Sequence, residues 1–251
     1  MGVFILACAA SLIPFLLLFL WLRKRGKEKE NDKLFGKALV KGFISTVPIV
    51  LLSMLFNILL RLARVEEFSP LLFQGLYTFI VLALSEEIVK FATARKLMKT
   101  ADKPLSVTDV TVITVIVGIG FGMLESVIYM IGANVPTVLV RGICMPHAGY
   151  GFITGYFFGR GLQKDSRPMK WTGFVLSWLM HGMYDFALTD EFMKLGEDLA
   201  IVAVSLAIAD IALVIALISF VKRAKKREDM NVPIINIPDD AAPMPDDAAE
   251  D

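Results

Sequence analysis

Seven apolar runs, each near the ~20 residues that cross a ~30 Å hydrocarbon core as a helix, take up most of this 251-residue chain. They fall at roughly 3–22, 38–60, 70–96, 107–132, 136–159, 171–189 and 199–221. Bilayer interior offers no water to backbone groups, so runs of this kind must satisfy their own hydrogen bonds as helices. The expected fold is therefore all-α, a polytopic transmembrane helical bundle of about seven spans. With 56% hydrophobic residues and a mean hydropathy of +0.64, no sizeable soluble domain is expected beside it. The expected organisation is a first transmembrane anchor at 1–22, a cytoplasmic basic loop at 23–41, an intramembrane helical domain at 38–221 with its chemical core at about 70–190, and a basic, then acidic, tail at 222–251.

The net charge of +1 conceals an alternation. Basic connections (Arg23 to Lys41; Arg95 to Lys103; Arg160 to Lys170; Lys222 to Arg227) take turns with poor or acidic ones. The positive-inside rule then places the amino terminus outside and the carboxy terminus in the cytoplasm, as an odd number of spans requires. The first run has no basic segment before it and a basic cluster after it, which fits an uncleaved anchor rather than a signal peptide. Compact spans with basic loops point to a prokaryotic plasma membrane, and nothing points to nucleic acid. Cys8 and Cys144 lie in different runs at spacings that suggest neither a disulfide framework nor a metal cage. The Pro-, Asp- and Ala-rich tail, with PDDAA at 238–242 and again at 245–249, is expected to be disordered.

Ionisable groups within the runs carry the chemistry, because a charge at bilayer depth costs at least ~2.5–3.5 kcal/mol on insertion scales and marks a functional site by default. The third run holds Glu86, Glu87 and Lys90 as EExxK, where the ammonium reaches either carboxylate at i,i+4 or i,i+3. The fourth holds Glu125 after Gly118, Gly120 and Gly122, with Tyr129 four residues on and placed to donate to it. The fifth holds Arg141 and His147, with Pro146 expected to kink the helix and Gly151, Gly155 and Gly159 forming a close-packing face. The sixth holds His181 and Asp185 at i,i+4, so that Asp185 is expected to accept from one ring nitrogen and fix the tautomer. Counting 1.5 Å per residue from the run centres puts Glu86, Glu87, His147 and His181 within roughly 5 Å of the midplane and Glu125 about 9 Å toward the outside. A shared site is geometrically allowed. A packing role explains each group singly, such as Lys90 snorkelling or His181 bonded to Asp185, but not the four helices together.

In this order the motifs resemble the PrsW family of intramembrane proteases, within a broader group that includes CAAX prenyl endopeptidases and bacteriocin-immunity membrane proteins. Lys90 and Asp185 stand where CAAX-type relatives carry Arg and Asn, which favours the PrsW side. The resemblance covers about residues 70–190. It implies an intramembrane endopeptidase, with a membrane protein as substrate and a membrane-spanning anti-sigma factor as the family's known target. Carried over motif by motif, it implies Glu86, Glu87, Glu125, His147 and His181 as catalytic and Lys90, Tyr129 and Asp185 as supporting.

Peptide hydrolysis needs an activated water, a stabilised oxyanion and a proton for the leaving amine. In a metal-free version, a glutamate kept ionised near Lys90 and a histidine activate water together. In a metal version, His147, His181 and a glutamate such as Glu125 ligate zinc while another glutamate takes the proton. The chain has no HExxH, which favours the metal-free version and leaves zinc open. The rival readings are a proton-coupled transporter, for which the charged motifs show no repeat outside runs three to six, and a non-catalytic scaffold of immunity type, which has no need to keep buried charge.

Overall fold

The computed structural model describes residues 2–28, 32–130, 142–224 and 226–234. Among these, seven long helices follow the seven apolar runs: α1 (Gly2–Glu28), α2 (Asp32–Leu62), α3 (Pro70–Met98), α4 (Val107–Met130), α5 (Pro146–Gln163), α6 (Arg167–Ala187) and α7 (Ala200–Ala224). Four of them, α2, α3, α4 and α7, are long and apolar enough to cross a membrane. The glycine- and histidine-bearing α5 and α6 are less apolar. Large side chains such as Leu51, Leu55, Ile58 and Leu59 on α2 and Ile201, Val204, Ile208 and Ile215 on α7 stand exposed, as faces turned to lipid must be.

Helix α4 is the axis of the bundle. Val110, Ile113, Val117 and Ile119 are wholly buried, the all-round burial expected of a helix that is apolar on every side. Its threonines cost nothing there, because Thr111 donates to Val107 O and Thr114 to Val110 O and Thr111 O. It opens on a capping box: Asp109 Oδ2 accepts from Ser106 N at 2.9 Å while Ser106 Oγ accepts from Asp109 N at 3.3 Å. Helix α5 lies against α4 through the expected glycine face. A Cβ on Gly155 would land on Thr114 Oγ1 and 2.7 Å from Thr111 Cα, and one on Gly151 would lie 2.7 Å from Thr114 O. Thr114 is held by its own hydrogen bonds and has nowhere to go. Gly155→Ala should therefore destabilise the bundle by about 1–3 kcal/mol, the usual cost of overpacking. Thermal unfolding in detergent micelles checks this; a variant melting with the parent chain would mean that α4 and α5 do not meet on this face.

Three local features depart from the sequence expectations. Residues 32–44, expected to lie largely in a basic loop, are helical. Leu34, Phe35, Ala38 and Gly42 form a buried face against α4, and Lys33, Lys37 and Lys41 take the exposed side, so amphipathic spacing overrides the charge count. Arg23 closes the α1–α2 connection with two bonds to Asp32, at 2.6 and 3.1 Å. Helix α2 then breaks for one residue at Ser45, where Pro48 begins to deny the preceding turn its amide donor. Residues 142–144 are helical, the chain breaks at Met145 with φ 43°, and Pro146 then opens α5, where proline is pre-organised and its missing N–H is harmless; the expected kink is a full break. Arg141 lies outside the described residues.

The carboxy-terminal segment is not wholly irregular from residue 222 as expected. Helix α7 runs to Ala224, and β2 (Pro233–Ile234) pairs antiparallel with β1 (Leu105–Ser106). Met230 is buried, its carbonyl accepts from Thr108 Oγ1 at 3.1 Å, and Asp229 receives Arg160 at 3.2 Å. This hook gathers the start of α4 and the ends of α5 and α7 at one pole. Residues 235–251, which carry the PDDAA repeat, lie outside the described residues.

Candidate active site

Helix α3 is not a plain α-helix. Tyr77–Leu84 form a π-helical stretch between the α-helical Pro70–Leu76 and Ser85–Met98. π-Helical turns are rare and concentrate at functional sites. Here α6 supports the wide turn from outside. Trp178 Nε1 donates to Phe79 O at 2.6 Å, and the Phe79 ring covers Gly182, where a Cβ would lie 2.8 Å from its Cε1. The stretch ends directly before Glu86 and Glu87, and so sets the direction in which that pair points.

Both carboxylates are buried, as are Lys90, His147 and His181. Gly118 lets α5 come in close, because a Cβ there would fall on the carbonyl oxygen of His147. Glu125 is brought to His147, its Oε2 lying 2.6 Å from Nε2. The axial offset counted from sequence disappears because α5 begins at Pro146, which places His147 in the first turn beside α4. The imidazole rings of His147 and His181 stand 5.2 Å apart.

Hydrogen-bond chemistry assigns the protons. Lys90 Nζ lies 3.1 Å from His147 Nδ1. An ammonium only donates, so Nδ1 accepts and Nε2–H donates to Glu125. Glu87 Oε1 takes Lys90 Nζ at 2.6 Å and His181 Nδ1 at 2.9 Å. A carboxylate only accepts, so the His181 proton is on Nδ1 and the Nε2 lone pair is left facing inward. Opposite it stand Glu86 Oε2 at 3.6 Å and Asp185 Oδ2 at 3.3 Å. Two carboxylate oxygens facing one lone pair call for a positive charge between them, either a second ring proton or a metal ion.

Glu86 Oε2 is the centre of this arrangement. It is buried and has no hydrogen-bond partner, yet three nitrogens surround it: His181 Nε2 at 3.6 Å, Lys90 Nζ at 3.7 Å and His147 Nδ1 at 4.0 Å. Those separations are too long for hydrogen bonds. Glu86, His147 and His181 each offer one ligand atom, all within 4.8 Å of one another. Zinc bonds of about 2.0–2.1 Å put tetrahedral donors roughly 3.3 Å apart, so a contraction of up to roughly 1.5 Å would close the set. The outer nitrogen of each ring faces a carboxylate, Glu125 for His147 and Glu87 for His181, and such partners orient metal-binding histidines. The residues present fit a divalent metal. One contact opposes it: Lys90 donates to the same His147 nitrogen that a metal would take.

The geometry redistributes the expected parts. Glu125, a candidate ligand from the sequence, bonds the outer side of His147, and Glu86 is the carboxylate that faces the inner nitrogens of both rings. Asp185 stands 3.3 Å from His181 Nε2 as its i,i+4 spacing predicts, while Glu87 arrives from another helix to bond Nδ1 at 2.9 Å. Tyr129 is 47% exposed and lies on the wall of an adjoining cleft. The sequence reading passed over two groups. Tyr150 stacks on His181, with ring centroids 5.1 Å apart and planes at 25°, and its hydroxyl meets Asp210 Oδ2 at 3.5 Å. Asp210 is a buried acid on α7, so polar groups are not confined to runs three to six. Its signal was in plain view, an acid within an apolar run.

A sequence model described as the PrsW family intramembrane metalloprotease matches residues 30–219. Among curated relatives, a protein named Protease PrsW from Geobacillus kaustophilus is 31% identical over 114 residues, 44% of this chain and 51% of that protein. One of the same name from Bacillus subtilis is 38% identical over 79 residues, 29% of this chain and 36% of that protein. Another from Oceanobacillus iheyensis is 23% identical over 186 residues, 72% of this chain and 81% of that protein. The chain thus spans about half, or less, of the first of these relatives. No solved structure matches. With the family match running from α2 to α7 and the four polar motifs gathered at one buried point, this chain belongs to the PrsW family of intramembrane metalloproteases.

Proposed function

We propose that this chain is an intramembrane endopeptidase that hydrolyses a peptide bond of a membrane-spanning protein. The observation that carries this reading is Glu86 Oε2, an unbonded carboxylate oxygen buried between two imidazoles. Glu86, His147 and His181 would hold a divalent metal, zinc by the chemistry of the donor set. Such an ion supplies an acidified water and polarises the scissile carbonyl. The family description and the three-ligand cluster favour this version over the metal-free pair.

The other residues have separable tasks. Glu87 orients His181 and neutralises Lys90. Glu125 orients His147 and, with Glu86, faces the adjoining cleft. With Glu86 committed as a ligand, Glu125 is the carboxylate left on that side to take a proton from water. Lys90, within reach of both glutamates of its motif, is the cation available to a developing oxyanion. A transporter would need its polar groups strung along the bundle; here they crowd about one oxygen. The resemblance adds the wider kinship with CAAX-type proteases and a membrane-spanning anti-sigma factor as the target within the substrate class.

In this reading the chain crosses a prokaryotic plasma membrane seven times, with the amino terminus outside. The hooked pole carries Lys99, Lys103, Arg160, Lys222 and Arg223 on its flanks, which supports a cytoplasmic placement for that end. The test is to reconstitute the full chain in vesicles with single-span membrane proteins, then count metal per chain and map new amino termini by mass spectrometry. New termini inside the spans, absent with His181→Ala, are expected. Identical termini from the parent chain and from Glu87→Gln and His181→Ala would overturn the proposal.

A further inference from the structure

A cleft of about 340 Å³ opens beside the site, between the second stretch of α2 (Thr46–Leu62), the π-helical stretch of α3 and the end of α4. Its floor holds Glu86 and Glu125. Its outer wall is one face of α2, from which Thr46, Ser53 and Asn57 point inward at helical spacing. The opposite face of the same stretch, with Leu51, Leu55, Ile58 and Leu59, is exposed. This stretch is set off from the rest of α2 by the break at Ser45.

Two of the inward-facing groups are unsatisfied. Thr46 is only 8% exposed, yet its Oγ1 has no hydrogen-bond partner, and the buried Asn57 Oδ1 has none either. Buried polar atoms are normally paired, and each exception calls for a reason. In a bilayer the cost is greater, because no lipid group takes water's place. An α-helical segment entering from lipid has already paired its own amides and would leave both atoms unsatisfied. An extended backbone has free N–H and C=O groups, which a threonine hydroxyl and an asparagine amide complement as donor and acceptor.

We infer that this cleft receives the substrate's membrane-spanning segment in locally unwound form, with Thr46 and Asn57 bonding its backbone and positioning it over Glu86 and Glu125. The inference deepens the protease reading and rests on it for the identity of the occupant. It makes Thr46 and Asn57 positioning residues that select for segments able to unwind.

The test reads binding, so it does not depend on cleavage. A photo-crosslinking amino acid is placed at Met54, which lines the cleft and is 59% exposed, and separately at the lipid-facing Ile208. The full chain in lipid nanodiscs is mixed with a synthetic single-span Leu/Ala peptide carrying a central Gly-Gly pair, or with the same peptide uninterrupted. Crosslinks are expected from position 54 and not from 208, several-fold stronger for the Gly-Gly peptide. Thr46→Val with Asn57→Leu should lower that yield by about tenfold, as two lost hydrogen bonds imply, while bound metal stays unchanged. Equal crosslinking from 54 and 208, or a yield indifferent to the double substitution, overturns the inference. Crosslinking as expected without hydrolysis of any spanning substrate keeps the cleft and removes the protease reading instead.

Discussion

Replacing Glu86 with glutamine is expected to abolish cleavage while leaving the bundle folded. The side chain keeps its shape, Oε2 has no hydrogen bond to lose, and Lys90 keeps Glu87 at 2.6 Å, so the thermal midpoint, compared after metal removal from both chains, should stay within a few degrees of the parent chain. Activity should fall by at least about 10²-fold, since even the orienting partners of metal ligands are worth about 10- to 100-fold. Bound zinc should fall with it, because an amide oxygen is a far poorer ligand for the ion than a carboxylate. Glu125→Gln and Glu87→Gln provide the scale. As orienting partners of His147 and His181 they should weaken metal binding by about 10- to 100-fold without eliminating it. The measurement is metal stoichiometry alongside cleavage in the same preparation. Full zinc occupancy with no activity in Glu86→Gln would remove Glu86 from the ligand set and make it the group that takes the proton instead.

Lys90→Met should be the most damaging substitution for stability. The ammonium sits 2.6 Å from Glu87 Oε1 and 3.7 Å from Glu86 Oε2, and 4.9 Å over the Phe121 ring, all out of reach of solvent. Removing one member of a buried ion pair leaves the other uncompensated, which costs about 3–5 kcal/mol. The thermal midpoint should therefore drop sharply. Adding Glu87→Gln to Lys90→Met should restore much of the loss, since the charge that needed compensation is then gone. If the single variant melts like the parent chain, the cluster is not held together by charge and Lys90 is free for some other task.

Both experiments depend on residues whose meeting was legible in the sequence. Buried charge in apolar runs is rare enough for EExxK, Glu125, His147 and HxxxD to be singled out, and helical spacing allowed them a common depth. The close-packing face of Gly151, Gly155 and Gly159 was legible for a similar reason, since small residues four apart have few uses other than letting backbones approach. What was not legible is which atom meets which. The i,i+4 relation pointed to Asp185 as the partner of His181, but a local spacing cannot show that Glu87 arrives from another helix with better geometry. The helix over 32–44 was obscured because its lysines dominate the charge count, while its buried face needs α4 in place to be recognised. Pro146 predicts a kink, and the structure makes it a break because left-handed Met145 ends one helical turn before the next begins. Asp210 was overlooked although the rule that found the other acids applies to it equally.

The π-helical stretch has a consequence for how this chain can vary. Each residue added to or removed from an α-helix turns everything beyond it by about 100°. Pro70–Leu76 and Ser85–Met98 share one helical rod, but their angular phase is set by the wide turns between them. The wide turns of Tyr77–Leu84 advance less per residue, so these eight residues turn through about what seven α-helical ones would. Loss of one would close the stretch as ordinary α-helix with Glu86 and Glu87 still in phase, and loss of a second would swing them away from both imidazoles. Connections between helices can lengthen or shorten cheaply. These eight residues can give up one and no more, so in this segment the count of residues matters more than their identity.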